Sequence, residues 1–289
     1  MPGNYDNLTI VIPAYNEADT IAEVVKELKS GLSEVPVIVV DDASTDDTGK
    51  RAADAGADKV IRHKTNRGYG AGIKSGARAA ETEFIATYDA DGQHDPASLR
   101  KILEVRGDYD MVIGARSTRN QNLSRLFGKK ILFSVANMLA GEKIPDLNSG
   151  LRVFRREYLL QYIHILPDGF SLSTTITLAM LKDHLDVHFE PVNVKVRGGG
   201  RSTVRFLRDG YRTFILILRI IMLFDPLKVF LPISFLFGII GGVYGLIWLV
   251  LYQNIPDGAI LLIISSITFF LFGLLADQIS SILRHFKPR

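Results

Sequence analysis

The chain has 289 residues, of which 47% are hydrophobic and 22% charged, with a formal net charge of +3. This suits a domain of ordinary globular composition plus an appendage, and the basic excess is too small to imply a nucleic-acid partner. There is no cysteine, which excludes disulfides, thiolate metal sites and cysteine nucleophiles.

Residues 1–7 are polar, without a basic stretch leading into an apolar core, so no cleavable signal peptide is expected. Residues 8–13 read as a short buried strand, and 18–30 as a helix whose Ile21, Val24, Val25 and Leu28 form one stripe. A second buried strand, 35–40, is closed by Asp41-Asp42. Residues 45–55 follow as a helix, with Ser44 or Thr45 as its cap. A strand over 60–62 and a helix over 72–80 come next. A strong strand, 84–88, is again closed by acids, Asp89 and Asp91. A helix over 96–105 and a strand over 111–114 complete the series. The alternation predicts an α/β domain with a mostly parallel sheet covered by helices on both faces. Ligands of such sheets bind beyond the carboxyl ends of the strands, where these acids fall.

The last third differs. Residues 229–252 and 258–276 are uncharged runs, each of a length that can cross a membrane, joined by the polar turn 253–257. They predict a helical hairpin, against the alternative of a buried soluble helix pair. Lys228 precedes the hairpin and Arg284, His285, Lys287 and Arg289 follow it, while the turn has no Lys or Arg. Both outer ends, and the domain before them, are therefore expected to be cytoplasmic. Over 205–224, Phe206, Leu207, Phe214, Ile215, Leu218, Ile221 and Met222 alternate with Arg205, Arg208, Arg212 and Arg219. That pattern suits a helix in the membrane interface, or alternatively a helix packed on the soluble domain. The expected organisation is a catalytic domain over 1–204, an interfacial segment over 205–226, and a hairpin with a basic tail over 227–289.

The segment Asp89-Ala90-Asp91-Gly92-Gln93-His94 carries the strongest chemical signal. Two carboxylates two residues apart at a strand end can face one Mg²⁺ or Mn²⁺, which binds substrate phosphates as well and neutralises a departing diphosphate. Gln93 offers a further oxygen ligand; His94 reads as structural. The carboxylate of Asp42 can accept hydrogen bonds from a nucleobase or ribose, whereas Ser44, Thr45 and Asp47 read as helix caps. Gly68-Tyr69-Gly70-Ala71-Gly72 fits neither a dinucleotide fingerprint nor a Walker A loop. It reads as a tight turn bringing the chain close to a nucleotide pocket.

Val11-Ile12-Pro13-Ala14-Tyr15-Asn16-Glu17, Val40-Asp41-Asp42-Ala43-Ser44-Thr45-Asp46, Asn66-Arg67-Gly68 and Asp89-Ala90-Asp91 resemble the successive signatures of family 2 glycosyltransferases of the A-type (nucleotide-diphospho-sugar transferase) fold. Within that family the chain is most similar to the polyprenyl-phosphate glycosyltransferases, which include dolichol-phosphate mannose synthases and two-helix bactoprenol glucosyltransferases. Asp146-Leu147-Asn148-Ser149-Gly150-Leu151-Arg152 resembles that group's D-x-x-S-G-x-R segment. Gly200-Arg201-Ser202-Thr203 resembles its G-x-S-K loop, with Thr203 where lysine is usual. The Gln-x-x-Arg-Trp segment of processive synthases is absent, and the one tryptophan is Trp248. The resemblance implies that Pro13, Tyr15, Glu17 and Asp42 hold the nucleoside. It implies that Asp89, Asp91 and Gln93 hold the metal and diphosphate.

The implied reaction moves a hexose, mannose or glucose, from a GDP- or UDP-sugar to a polyprenyl phosphate (dolichyl or undecaprenyl) at the cytoplasmic membrane face, with inversion. A phosphate acceptor is already ionised, so a strong general base is not required. Cations must instead bring two anions together, which suits arginine. Arg116, after the strand ending in Gly114-Ala115, and Arg201, beside the flexible Gly198-Gly199-Gly200, lead these candidates; Arg125 follows, with Lys129 and Lys130 beside it. Asp146 either orients an arginine or acts as a weak base, and Asp91 completes the candidate catalytic set. Gly238, Gly241, Gly242 and Gly245 offer a small-residue face for homo-oligomers. Alternative readings are transfer to another lipid or glycan acceptor, and a non-catalytic nucleotide-sugar-binding membrane module.

Overall fold

The structure, a computed structural model, describes residue 5 and residues 7–116, 126–193 and 206–285; for 126–132, 206–214 and 285 it describes the backbone alone. The strands are β1 (Leu8–Ala14), β2 (Val37–Asp41), β3 (Lys59–Arg62), β4 (Phe84–Thr87), β5 (Met111–Arg116), β6 (Arg152–Arg155) and β7 (Val187–Val192). Between them run α1 (Ile21–Gly31), α2 (Thr48–Asp54), α3 (Tyr69–Ala79), α4 (Pro96–Glu104), α5 (Leu126–Ala140), α6 (Arg156–Tyr162) and α7 (Leu172–Lys182). The C-terminal helices are α8 (Phe206–Phe224), α9 (Leu227–Tyr252) and α10 (Asp257–His285).

The strands form one sheet in the order β3-β2-β1-β4-β6-β5-β7. Pairing is parallel except at β6, which runs antiparallel to both β4 and β5. β1, β2 and β4 are buried along their whole length, as their continuous apolar runs require. Ile10, Ile12, Val37, Val39 and Ala86 pack with Ile21, Val24, Val25 and Leu28 of α1 and Leu99, Ile102 and Leu103 of α4. The register sets Ala14 against Asp41, and Val11 against Thr87. Residues 15–17, 42 and 88–91 therefore leave the sheet along one edge.

α2 starts later than the sequence pattern suggests, at Thr48, and the expected Ser44 and Thr45 caps are not formed. Those hydroxyls tie the loop after β2 to the loop after β1 instead. Asn16 N donates to Ser44 Oγ at 3.0 Å, Thr45 N to Asn16 Oδ1 at 2.8 Å, Glu17 N to Thr48 Oγ1 at 2.9 Å, and Ala18 N to Asp46 Oδ2 at 3.2 Å. Asn16 and Ala43 adopt positive φ, 54° and 62°, and this lacing holds them there.

Residues through Phe206 form one compact unit and Leu207–Lys287 another. In the second unit α9 and α10 are long and apolar enough to cross a membrane, with mean hydropathy 2.2 and 2.6. Only 17% and 11% of their apolar windows are buried, which is not the pattern of a soluble core pair. Ser234 and Ser266 exchange reciprocal hydrogen bonds, each Oγ donating to the other's carbonyl at 2.9 and 2.8 Å. A Cβ on Gly238, Gly241 or Gly245 would meet Ser266 Oγ at 2.9 Å, Leu262 Cβ at 2.8 Å or Ala259 Cβ at 3.3 Å. The glycine face suggested for homo-oligomers is thus used inside the hairpin, and of the four only Gly242 faces open space. α8 joins this unit: Ile217, Ile220, Ile221 and Phe224 are buried, Ile215, Leu218 and Met222 are exposed, and Ser280 Oγ donates to Leu223 O at 2.5 Å.

Candidate active site

A cavity of ≈ 430 Å³ opens at the carboxyl edge of the sheet. One wall comes from the first half of the domain: Pro13, Ala14, Tyr15, Glu17, Asp42, Asn66, Gly68 and Tyr69. Asp89, Ala90 and Asp91 form its floor, and Asn148, Gly150, Phe170 and Ser173 complete the lining, Phe170 beside Tyr69. Every residue assigned to the nucleoside, and both acids of the Asp-x-Asp pair, therefore share one cavity.

Asp42 does more than face the cavity. It is 4% exposed and accepts from Arg67 N at 2.9 Å, Gly68 N at 2.6 Å and His63 Nδ1 at 2.6 Å. The carboxylate shapes the 66–68 loop, which carries Asn66 to the wall.

Asp89 Oδ1 accepts from Tyr69 Oη at 3.2 Å. Burial, then the charge of Asp89, pushes the Tyr69 phenol well above its ordinary value, so it stays protonated and donates. The buried His94 sets Nε2 3.5 Å from Asp89 Oδ2, behind the cavity. Asp91 accepts from Gln93 N at 3.1 Å and Gln93 Nε2 at 2.7 Å. Gln93 thus holds Asp91 through its amide nitrogen and does not line the cavity, unlike the oxygen ligand expected of it. Among the described residues no group of three His, Asp or Glu forms a ready-made metal cage. A pair of carboxylates still fits Mg²⁺ or Mn²⁺, since such ions take one or two protein carboxylates plus substrate phosphates.

The segment 146–152 is built around this floor. Asp146 clamps Arg116 in two places, Nε to Oδ2 at 2.7 Å and Nη2 to Oδ1 at 3.0 Å. Burial pulls the Asp146 carboxyl up, but the hydrogen bonds and charge of Arg116 outweigh it and hold the carboxyl below its ordinary value. The same bonds raise Arg116. Of the two roles read for Asp146, orienting an arginine is the one the geometry shows. Asp146 Oδ1 also accepts from Asn148 N at 2.9 Å, which turns Asn148 toward the cavity. Gly150 lies directly under Asp89: a Cβ there would overlap both carboxylate oxygens. Arg152 is 1% exposed and donates to Ser149 O at 2.7 Å, Leu147 O at 2.9 Å and Thr177 Oγ1 at 2.7 Å. Burial lowers it to about 10, against the opposing charges of Asp146 and Asp89, so it is charged at neutral pH.

Arg125 and Arg201 lie outside the described residues, as do Thr203 and residues 198–200, and the side chains of Lys129 and Lys130 are not described. Among the lining residues that sequence reasoning did not assign to the site are Tyr69, Asn148, Gly150, Phe170 and Ser173. Three of them sat inside motifs that had been noted, as turn or signature positions without a contact to explain them.

Because Asp146 is depressed in the fold, its contribution to stability is complete above the unfolded value and is lost as pH falls through the folded one. The melting-temperature difference between wild type and Asp146→Asn should therefore be constant above about pH 5 and shrink below about pH 4. Thermal melts across that range check it; a difference that grows on acidification would contradict the clamp.

The glycosyl transferase family 2 domain matches residues 9–163, more than half of the chain. This chain belongs to glycosyl transferase family 2. The family 2 domain is followed by a match to the GtrB C-terminal hairpin over residues 225–282. Glycosyltransferase AglJ of Haloferax volcanii is 29% identical over 98% of this chain and 97% of its own. Polyprenol monophosphomannose synthase of Mycolicibacterium smegmatis is 33% identical over 67% of this chain and 79% of its own. Among solved structures, glucosyl-3-phosphoglycerate synthase of Mycobacterium tuberculosis, with Mn²⁺ and UDP-glucose, superposes with a TM-score of 0.60 at 20% identity, covering 75% of this chain and 79% of that one. That likeness establishes the A-type fold of the family 2 domain.

Proposed function

We propose that this glycosyltransferase moves a hexose from a nucleotide sugar to a polyprenyl phosphate, with inversion and a divalent metal, at the cytoplasmic face of a membrane. The observation that carries the reading is the part of the cavity lining that residues 148–173 contribute. It offers Asn148, Gly150, Phe170 and Ser173 and no carboxylate. Of the acids next to it in the chain, Asp146 is clamped to Arg116 and held ionised, and Asp168 is paired with Lys74. A hydroxyl acceptor needs a base to take its proton, and among the described residues this part of the lining offers none; an ionised phosphate needs none. The activities of relatives such as the M. smegmatis synthase, and the two apolar helices, support a lipid carrier for that phosphate. Lys228 and Arg284, at the outer ends of the hairpin, support the cytoplasmic placement.

The nucleoside rests along Pro13, Tyr15, Glu17 and Asp42, and the diphosphate over Asp89 and Asp91. These two carboxylates would hold Mg²⁺ or Mn²⁺, which when bound offsets the charge of the departing diphosphate. Arg116, fixed by Asp146 through Nε and Nη2, keeps Nη1 for a phosphate. Arg125 and Arg201 are proposed as further phosphate contacts. An acceptor phosphate oxygen attacks the anomeric carbon as the bond from that carbon to the diphosphate oxygen breaks. An α-linked donor gives a β-linked sugar phosphodiester, and no proton moves.

Purified full-length protein should be offered UDP-glucose and GDP-mannose, with undecaprenyl and dolichyl phosphate, in Mg²⁺, Mn²⁺ or chelator. Lipid-linked sugar that disappears on chelation is expected. Product on diacylglycerol or a glycan, and none on any lipid phosphate, would overturn the proposal in favour of another acceptor.

A further inference from the structure

Three exposed large hydrophobic side chains stand out on the family 2 domain among the described residues: Tyr15, Met138 and Phe170. Phe170 is by far the barest, at 81%, and it stands on the cavity rim. A lone exposed apolar side chain is ordinary; one that stacks on a neighbour at the rim of the Asp89–Asp91 cavity is not. The Phe170 ring stacks on Tyr69 with centroids 5.3 Å apart and planes 15° from parallel. Tyr69 in turn donates to Asp89. The short loop before Phe170 is clamped to the start of α3. Lys74 Nζ donates to Leu166 O and pairs with Asp168 Oδ1 at 2.7 Å, and Ala71 N donates to Asp168 O at 3.0 Å. The glycines 68 and 70 permit this approach, because a Cβ on either would strike the backbone of 167–169. The glycine-rich turn thus seats this loop as well as lining the cavity at Gly68 and Tyr69.

Phe170 is therefore backed by Tyr69 and otherwise open at the rim of the cavity. The groups of a donor next to Asp89 and Asp91 are diphosphate and sugar, both polar. A lipid phosphate is different: directly after its phosphate comes hydrocarbon. We propose that Phe170, braced by Tyr69, is a specificity-determining residue that packs on the first isoprene unit of the acceptor, next to the phosphate. The inference rests on the lipid-phosphate reading above and assigns the point where phosphate ends and hydrocarbon begins. A flat ring already backed by another loses little freedom when it receives an apolar group.

The test uses full-length protein with citronellyl phosphate, a short soluble isoprenoid phosphate, and methyl phosphate as its tail-less counterpart. In Phe170→Ala the KM for citronellyl phosphate should rise about tenfold, the effect of losing one partly buried apolar contact. Turnover at saturating acceptor and binding of the nucleotide sugar should not change, and Phe170→Tyr should restore the low KM. The wild type's preference for citronellyl over methyl phosphate should vanish in Phe170→Ala. An unchanged acceptor KM in an otherwise active Phe170→Ala overturns this inference alone. So does weakened nucleotide-sugar binding with an unchanged acceptor KM, which would place the ring on the donor. A wild type that glycosylates no lipid phosphate sinks the acceptor reading itself, and this inference with it.

Discussion

Gly150→Ala is expected to lower turnover by about 10²-fold, the scale set by misplacing a reacting group by roughly 1 Å. Nothing in the backbone forbids the substitution, since Gly150 is not among the residues with positive φ. The obstacle is the Asp89 carboxylate, whose two oxygens lie where the new methyl would be. The backbone cannot simply retreat, because Gly150 O accepts from Thr87 Oγ1 at 2.6 Å inside the core. Asp89 must swing away instead, losing its bond from Tyr69 and its alignment with Asp91. Steady-state rates at saturating substrate and a metal titration of nucleotide binding would read the effect. The melting temperature should move little. Wild-type turnover in this variant would show that Asp89 is not the seated floor of the site.

Arg152→Ala is expected to destabilise the family 2 domain by ~3–5 kcal/mol, a large share of the stability of a typical domain. The side chain is buried, yet its recorded hydrogen-bond partners are two carbonyls, a hydroxyl and a thioether sulfur, with no carboxylate. Segment 147–150 belongs to no helix or strand, so its carbonyls have no ladder to enter. The planar fork of arginine reaches Leu147 O, Ser149 O and Thr177 Oγ1 together. Truncation leaves these acceptors unpaired, at ~1–3 kcal/mol each, beside an empty volume in the core. Lysine keeps the charge but not the fork, so Arg152→Lys should recover only part of the loss. Urea denaturation of both variants checks this; a loss below ~1 kcal/mol would mean the segment stands without its arginine.

β1, β2, β4 and β5 are legible in the sequence because strands buried on both faces read as unbroken apolar runs. β6 and β7 are not. β6 has four residues with an arginine at each end, and β7 is a half-exposed edge strand in which His188 and Glu190 alternate with apolar positions. The caps proposed at Ser44 and Thr45 fail for a related reason. A hydroxyl after a strand looks the same in sequence whether it caps a helix or ties two loops, and only the position of Asn16 decides. At the site, Asp89 and Asp91 announce themselves by following a buried strand. Gly150 and Arg152 were visible only as a resemblance, since their reasons are contacts with Asp89 and Thr177, far away in the chain. Arg116 and Asp146 were each picked out singly, and the fold makes them a pair. Gln93 carries the polar amide expected near a metal, but it braces Asp91 through nitrogen. Phe170 gave no signal, and Tyr69 only its place in a glycine-rich turn, because stacking across two loops has no periodicity to detect.

The central claim is that the Asp89–Asp91 cavity delivers a sugar to a phosphate carried on a polyprenyl chain. The direct measurement compares polyprenyl phosphate with the polyprenol of the same length, each with nucleotide sugar and full-length protein, by mass detection of the lipid. One hexose added to the phosphate-bearing lipid alone, and lost in Asp91→Ala, is the predicted result. Sugar added equally to the alcohol, or product undiminished in Asp91→Ala, would contradict it.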